Sequence, residues 1–224
     1  MELYIRFLNI GTWYELIRKS IGGEIVIMKK TLALMGSPRI NKNTDIMLDL
    51  ILKGVEDSGH EINKIYIAKE NISHCTGCNY CGTKGGCVIK DDMIKIYDYF
   101  DNSDIFILAS PLYFNTVNGI TKNLIDRCQK YWSIKYQLGK DYKRNNNRIG
   151  IFLSVGGAKY SHEHFSATIP TIDLFFKALN ADYIGNYFVS GTDDISIGER
   201  KDIREELYKI GFNIDKIGYF HFHR

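Results

Sequence analysis

At 224 residues the chain is long enough to bury a sizeable core as a single domain without disulfide or metal staples. Apolar residues make up 45% and charged residues 25%, and a formal charge of +3, with lysines and arginines spread along the chain, argues against nucleic acid or an anionic membrane as partner. No apolar run approaches the roughly 20 residues that cross a bilayer, and five cysteines, four of them in one short segment, fit a reducing cytoplasm better than a secreted disulfide framework.

Residues 1–27 read differently from the remainder. They carry Tyr4, Phe7, Leu8, Trp13, Tyr14 and Leu16 but lack the apolar core and small-residue cleavage site of a signal peptide. Gly22-Gly23-Glu24 back-translates to a purine-rich string a short distance before Met28, the form of a ribosome-binding sequence. The expectation is therefore a non-native or flexible extension over 1–27 and one domain over 28–224. A short amphipathic helix added to the domain is the competing reading.

Thr31–Met35 is predicted as a buried strand, ended by Gly36-Ser37-Pro38. Asn43–Asp57 follows as a helix, with Ile46, Leu50, Ile51 and Val55 at helical spacing. Ile62–Ile67 is a second strand. Asp91 and Asp92 suit the first turn of a helix over Met93–Phe100. Asp104–Ala109, apolar throughout, is a third and central strand. A helix over Val117–Trp132, a strand over Arg148–Val155, a helix over Ser166–Leu179, a strand over Tyr183–Val189 and a helix over Glu199–Lys216 complete the series, and Gly218–Arg224 reads as an exposed tail. Strict alternation predicts an α/β fold: a flavodoxin-like, doubly wound, five-stranded parallel sheet with helices on both faces.

Such sheets bind ligands beyond the carboxyl ends of their strands, which directs attention to three loops. Gly36 to Thr44 offers the hydroxyls of Ser37 and Thr44, the amides of Asn41 and Asn43, the Arg39 guanidinium and a helix N-terminus, a set suited to phosphate. A turn in which Asn43 or Thr44 caps the helix is the alternative. Ser110 to Gly119 brings Pro111, Leu112, Tyr113, Phe114 and Asn115 together, giving flat apolar contact with polar groups for the edge of an isoalloxazine ring; rim packing is the alternative. Gly156 and Gly157 in the third loop let backbone approach a ligand closely.

Cys75, Cys78, Cys81 and Cys87 follow a C-x2-C-x2-C-x5-C spacing in a glycine-rich loop spanning 75–87. A cubane cluster wants four thiolates from a wrapping backbone and suits this pattern. Zinc, which more often takes two separated pairs, and a metal-free thiol site are the alternatives. The histidines do not form a site: His162 and His164 are two residues apart, and His221 and His223 alternate with aromatics. Cys128 falls in an apolar helical pattern and reads as a buried small hydrophobe.

Gly36-Ser37-Pro38-Arg39 with Asn43-Thr44, the four-cysteine loop ending in Asp91-Asp92-Met93, and Ser110-Pro111-Leu112-Tyr113-Phe114 together resemble the iron–sulfur flavoproteins. These belong to the wider NADPH-dependent FMN reductase, flavodoxin-like superfamily, and the resemblance runs from about Lys30 to about Ile217. It implies FMN, with its phosphate held by Ser37, Arg39, Asn43 and Thr44, its ring lined by Pro111, Leu112, Tyr113, Phe114 and Asn115, and Gly156 and Gly157 closing over it. It implies a [4Fe-4S] cluster on Cys75, Cys78, Cys81 and Cys87. It also implies a cytoplasmic homo-oligomer, a homodimer or homotetramer, with the flavin near a subunit interface. The stretch Ile125–Trp132 resembles a branch in which this helix leads into the oligomer contact. Asn41-Lys42 stands where relatives usually carry a glycine.

A flavin exchanges two electrons and a cluster one. Their pairing suits an oxidoreductase that passes electrons from a one-electron carrier such as ferredoxin to a small acceptor, with no side chain acting as nucleophile or general base. The alternatives are an NAD(P)H-dependent FMN or quinone reductase without a cluster, and a non-enzymatic electron carrier or redox sensor.

Overall fold

In the computed structural model, which describes residues 18–21, 24–140, 147–159 and 164–224, the first two described elements are the strands β1 (Arg18–Ile21) and β2 (Glu24–Ile27). They pair antiparallel with each other, in a two-stranded sheet of their own. Much of the expected 1–27 extension lies outside the described residues.

The main sheet starts with β3 (Lys30–Met35) and β4 (Glu61–Tyr66), separated by helix α1 (Asn43–Asp57). The cysteine segment and its short helix α2 (Tyr80–Lys84) lead to α3 (Met93–Asn102) and then β5 (Ile105–Tyr113). A two-residue strand β6 (Thr116–Val117) folds back on β5 and is followed by α4 (Gly119–Arg127) and α5 (Gln129–Tyr136). The chain continues through β7 (Ile149–Val155), α6 (Ile169–Ala178), β8 (Asp182–Val189), α7 (Lys201–Phe212) and β9 (Phe220–His223).

The five expected strands are all present, in the order β4-β3-β5-β7-β8 and all parallel, so the sheet is flavodoxin-like. Alternation along β5 divides the core: Phe106 and Leu108 face the α3–α6 side, while Ile105, Ile107 and Ala109 face α1 and α7. On the second side α1 and α7 cross with their backbones close. A Cβ at Gly54 would lie 2.2 Å from the Tyr208 carbonyl oxygen, and one at Gly211 would lie 2.0 Å from that of Ile51. Only glycine fits at these two crossings.

Two expectations are corrected. The C-terminal tail is not free: β9 adds a further parallel strand to the edge of β8, with Gly185 opposite Phe220. The Phe220 ring occupies the space a Cβ on Gly185 would need, and Arg224 grips Glu206 through two hydrogen bonds of 2.9 and 3.0 Å. The single helix expected over Val117–Trp132 is two helices that part at Cys128, and Val117 belongs to a strand. The reason for the late start is Asn118, whose side chain caps α4 by accepting the Thr121 N–H at 3.1 Å. No helix among the described residues is long and apolar enough to cross a membrane.

Candidate functional site

The loop after β3 turns at once because Gly36 has no room for a side chain: a Cβ there would sit 2.2 Å from Thr121 Oγ1. Its N–H donates to the Ala109 carbonyl at 2.7 Å, and its own carbonyl accepts from Asn118 Nδ2 at 2.7 Å. Ser37 and Thr44 are buried, Ser37 Oγ accepts the Arg39 N–H, and Asn41 takes a left-handed conformation at φ 57°. Asp45, fully buried in the first turn of α1, accepts the Asn41 N–H at 2.8 Å and meets Lys64 Nζ at 2.6 Å. Its charge is thereby neutralised from the β4 side. The first N–H groups of α1 have no intrahelical partner and face the loop. Asn43 departs from expectation in its side chain. The amide is drawn to the loop after β8, donating to the Thr192 carbonyl at 3.4 Å and accepting the Ile197 N–H at 3.0 Å.

Where a loop with Tyr113 and Phe114 was expected, β5 runs on to Tyr113 and closes a hairpin with β6. Phe114 and Asn115 form its two-residue turn, both left-handed at φ 51° and 60°, as a type I′ turn requires. Phe114 is fully exposed, Tyr113 is half exposed, and Thr168 Oγ1 donates to the Asn115 carbonyl at 3.2 Å. At the carboxyl end of β7, a Cβ on Gly156 would be 3.6 Å from Leu112 Cδ2, and one on Gly157 would collide with the Asp193 carboxylate. The third loop therefore lies against both the hairpin and the loop after β8.

The cysteine segment leaves the carboxyl end of β4 on the same side of the sheet. Cys75, Cys78, Cys81 and Cys87 line one cavity of about 390 Å³, together with Asp126, Arg127 and Lys130 from the end of α4 and the start of α5. All five cysteines are free thiols. The Cys78 thiol is held below its ordinary pKa by the Tyr80 N–H and the Thr76 hydroxyl. Cys81 donates to Ser133 Oγ at 3.4 Å, and Arg127 Nη2 donates to the Cys87 sulfur at 3.5 Å. Cys128 is buried, and burial raises its thiol pKa, in line with a structural role. Among the described residues no three His, Cys, Asp or Glu side chains stand close enough together to hold a metal ion, so the four sulfurs share a cavity wall rather than a point.

A sequence profile of the family described as NADPH-dependent FMN reductase matches residues 29–193. An iron–sulfur flavoprotein of Archaeoglobus fulgidus is 38% identical over 169 residues, covering 75% of this chain and 80% of the relative. The chain belongs to the NADPH-dependent FMN reductase family, in its iron–sulfur flavoprotein group. A second Archaeoglobus fulgidus iron–sulfur flavoprotein is 43% identical over 102 residues, a match that spans 46% of each chain. One from Methanocaldococcus jannaschii is 30% identical over 148 residues, covering 66% of this chain and 70% of the relative. Among solved structures, the NAD(P)H:quinone oxidoreductase from Methanothermobacter marburgensis superposes with a TM-score of 0.65 at 13% identity, covering 85% of this chain and 98% of that one. That likeness shows a shared fold. Family membership makes the chain a flavin-dependent oxidoreductase.

The residues present fit an FMN reductase family cleft. Buried hydroxyls, an exposed guanidinium and free helix N–H groups meet at one loop, with exposed aromatics on the neighbouring hairpin. They also fit a cluster in donor chemistry, since four thiols share one cavity with N–H and guanidinium donors. Gly77, between the first two of these cysteines, is left-handed at φ 66° with nothing within 4 Å of its Cβ position.

Three contributors escape a reading of the sequence. Asn118 ties the hairpin to the first loop, and Asp91 and Arg127 brace the cysteine segment. Asn118 carries a local signal as a helix cap three residues before Thr121. Arg127 carries none, because its partners lie 36 to 54 positions away.

Proposed function

We propose that the chain is an FMN- and [4Fe-4S]-dependent oxidoreductase that passes electrons from a one-electron carrier such as ferredoxin to a small acceptor. One observation carries the reading: a single short helix joins the two candidate centres. The N-terminal turn of α4 fastens to Gly36 through Asn118, while its last residue, Arg127, lies on the cysteine cavity. Nine residues of helix span about 14 Å.

In this reading Ser37, Arg39 and Thr44 take the FMN phosphate with their side chains. Asn43 contributes its backbone N–H, because its amide is engaged with Thr192 and Ile197. Pro111 through Asn115 line the ring, and Gly156 and Gly157 close beside it. Cys75, Cys78, Cys81 and Cys87 ligate the cluster. When bound, the flavin supplies two-electron chemistry and the cluster one-electron chemistry. The protein's part is to hold both and to keep the sulfurs close to donors. The fully exposed Phe114 beside the cleft supports a homodimer or homotetramer that covers it, and five free thiols support a cytoplasmic location.

A second reading, an NAD(P)H-dependent FMN or quinone reductase without a cluster, draws on the spread of the four sulfurs along the cavity wall. Anaerobic stopped-flow reduction separates the two. Rapid bleaching of the bound flavin by reduced ferredoxin, slowed at least tenfold in a Cys78→Ser chain, is expected. Rapid bleaching by NADPH, indifferent to that substitution, supports the second reading instead.

A further inference from the structure

Arg127 closes α4 with its side chain 1% exposed, opposite an Asp91 side chain that is 3% exposed. Its guanidinium is committed in three directions. Nη1 donates to Asp91 Oδ2 at 2.5 Å and to the Ser73 carbonyl at 2.8 Å. Nη2 donates to Asp91 Oδ1 at 3.1 Å and to the Cys87 sulfur at 3.5 Å. Asp91 accepts in addition the Ser73 N–H at 2.9 Å and the Met93 N–H at 3.0 Å. The segment enters at Ser73, two residues before Cys75, and leaves between Cys87 and Asp91. Both ends are thus tied at one ion pair.

Burial makes such a pair a weak source of stability, because desolvation offsets the attraction, and an apolar pair of similar volume would hold α4 to the loop as well. An apolar pair could not donate to a sulfur. Nor could a lysine, a single point charge, reach a carboxylate, a carbonyl and a thiol together in the planar fork that arginine provides.

We propose that Arg127, fixed by Asp91, is the positioning residue of the cysteine centre. It closes the segment from Ser73 to Asp91, and its donation to the Cys87 sulfur stabilises negative charge there and raises the reduction potential of a cluster ligated at that position. The closure stands on the protein alone; the effect on potential rests on the cluster reading above.

The test uses the full chain as wild type, Arg127→Lys and Arg127→Gln, purified anaerobically, with FMN content as the check that each variant folds. Before reconstitution, amide hydrogen exchange over residues 71–92 is expected to be at least tenfold faster in both variants, with β5 and β7 unchanged. Unaltered exchange there overturns the closure. After reconstitution, an EPR-monitored titration is expected to show the Arg127→Gln midpoint moved negative by at least a tenfold change in equilibrium constant, 59 mV for one electron, and Arg127→Lys by less. An unmoved midpoint overturns the effect on potential. If Arg127→Gln does not fold, Arg127→Lys, which keeps the charge, supplies both readouts. A wild type that takes up no iron overturns the cluster reading and the potential effect together, and hydrogen exchange then decides the closure.

Discussion

The side-chain amide of Asn118 donates to the backbone carbonyl of Gly36 at 2.7 Å, across 82 positions of sequence, while its oxygen caps α4. One buried side chain therefore ties the loop after β3 to the chain leaving the aromatic hairpin. Replacing it removes a cap and leaves a buried carbonyl with only the longer contact from Thr121 Oγ1 at 3.4 Å. Asn118→Ala is expected to cost about 1–3 kcal/mol of stability and to weaken FMN binding about tenfold, a factor worth about 1.4 kcal/mol. Urea unfolding and a flavin fluorescence titration measure the two effects. Full FMN affinity in a destabilised Asn118→Ala chain would separate Asn118 from the cleft.

Phe114 pays a conformational cost for its place at the hairpin tip, where a bulky residue is held left-handed with its ring in solvent. Asparagine tolerates that backbone far better. Phe114→Asn is expected to raise stability by about 1 kcal/mol while weakening FMN binding several-fold. Stability gained with affinity unchanged would remove Phe114 from the ring contact.

At the opposite end of the sheet, His60 Nδ1 accepts the Lys29 N–H at 3.2 Å, and its Nε2 lies 3.1 Å from Asp215 Oδ2. The neighbouring His60, aided by Lys29 at 2.6 Å and opposed by burial, lowers the Asp215 pKa to about 2. A carboxylate with a depressed folded pKa contributes stability above its unfolded value, near 3.8, and loses it as pH falls toward 2. Asp215 is about one-third exposed, and solvent screening holds the contribution to about 1 kcal/mol. Asp215→Asn is expected to be less stable than wild type at pH 6, with the gap closing below pH 4, as read from urea midpoints across that range. A gap independent of pH would contradict the assignment.

The central strand β5 was legible because Ile105 to Ala109 is an unbroken apolar run, and α1 because its apolar spacing fits one helical face. The edge strand β9 was not, since Phe220 to His223 becomes a strand only through the space above Gly185, 35 positions earlier. The break at Cys128 was hidden because the apolar pattern passes through it without proline or glycine. In the candidate site, residue chemistry brought the three loops and all four cysteines into view. What sequence spacing cannot carry is long-range pairing. The Asn43 amide is turned to Thr192, and Asp91 and Arg127 meet at the cysteine segment, through contacts that exist only once the sheet has assembled.

In the proposed reading one chain holds both a flavin and a four-thiolate cluster. Anaerobic purification and reconstitution, followed by iron, acid-labile sulfide and FMN analysis, tests it most directly. About four irons and four sulfides per chain, together with FMN, are predicted, and the iron should be lost when Cys75, Cys78, Cys81 and Cys87 are replaced by serine. FMN without iron after anaerobic reconstitution would contradict it.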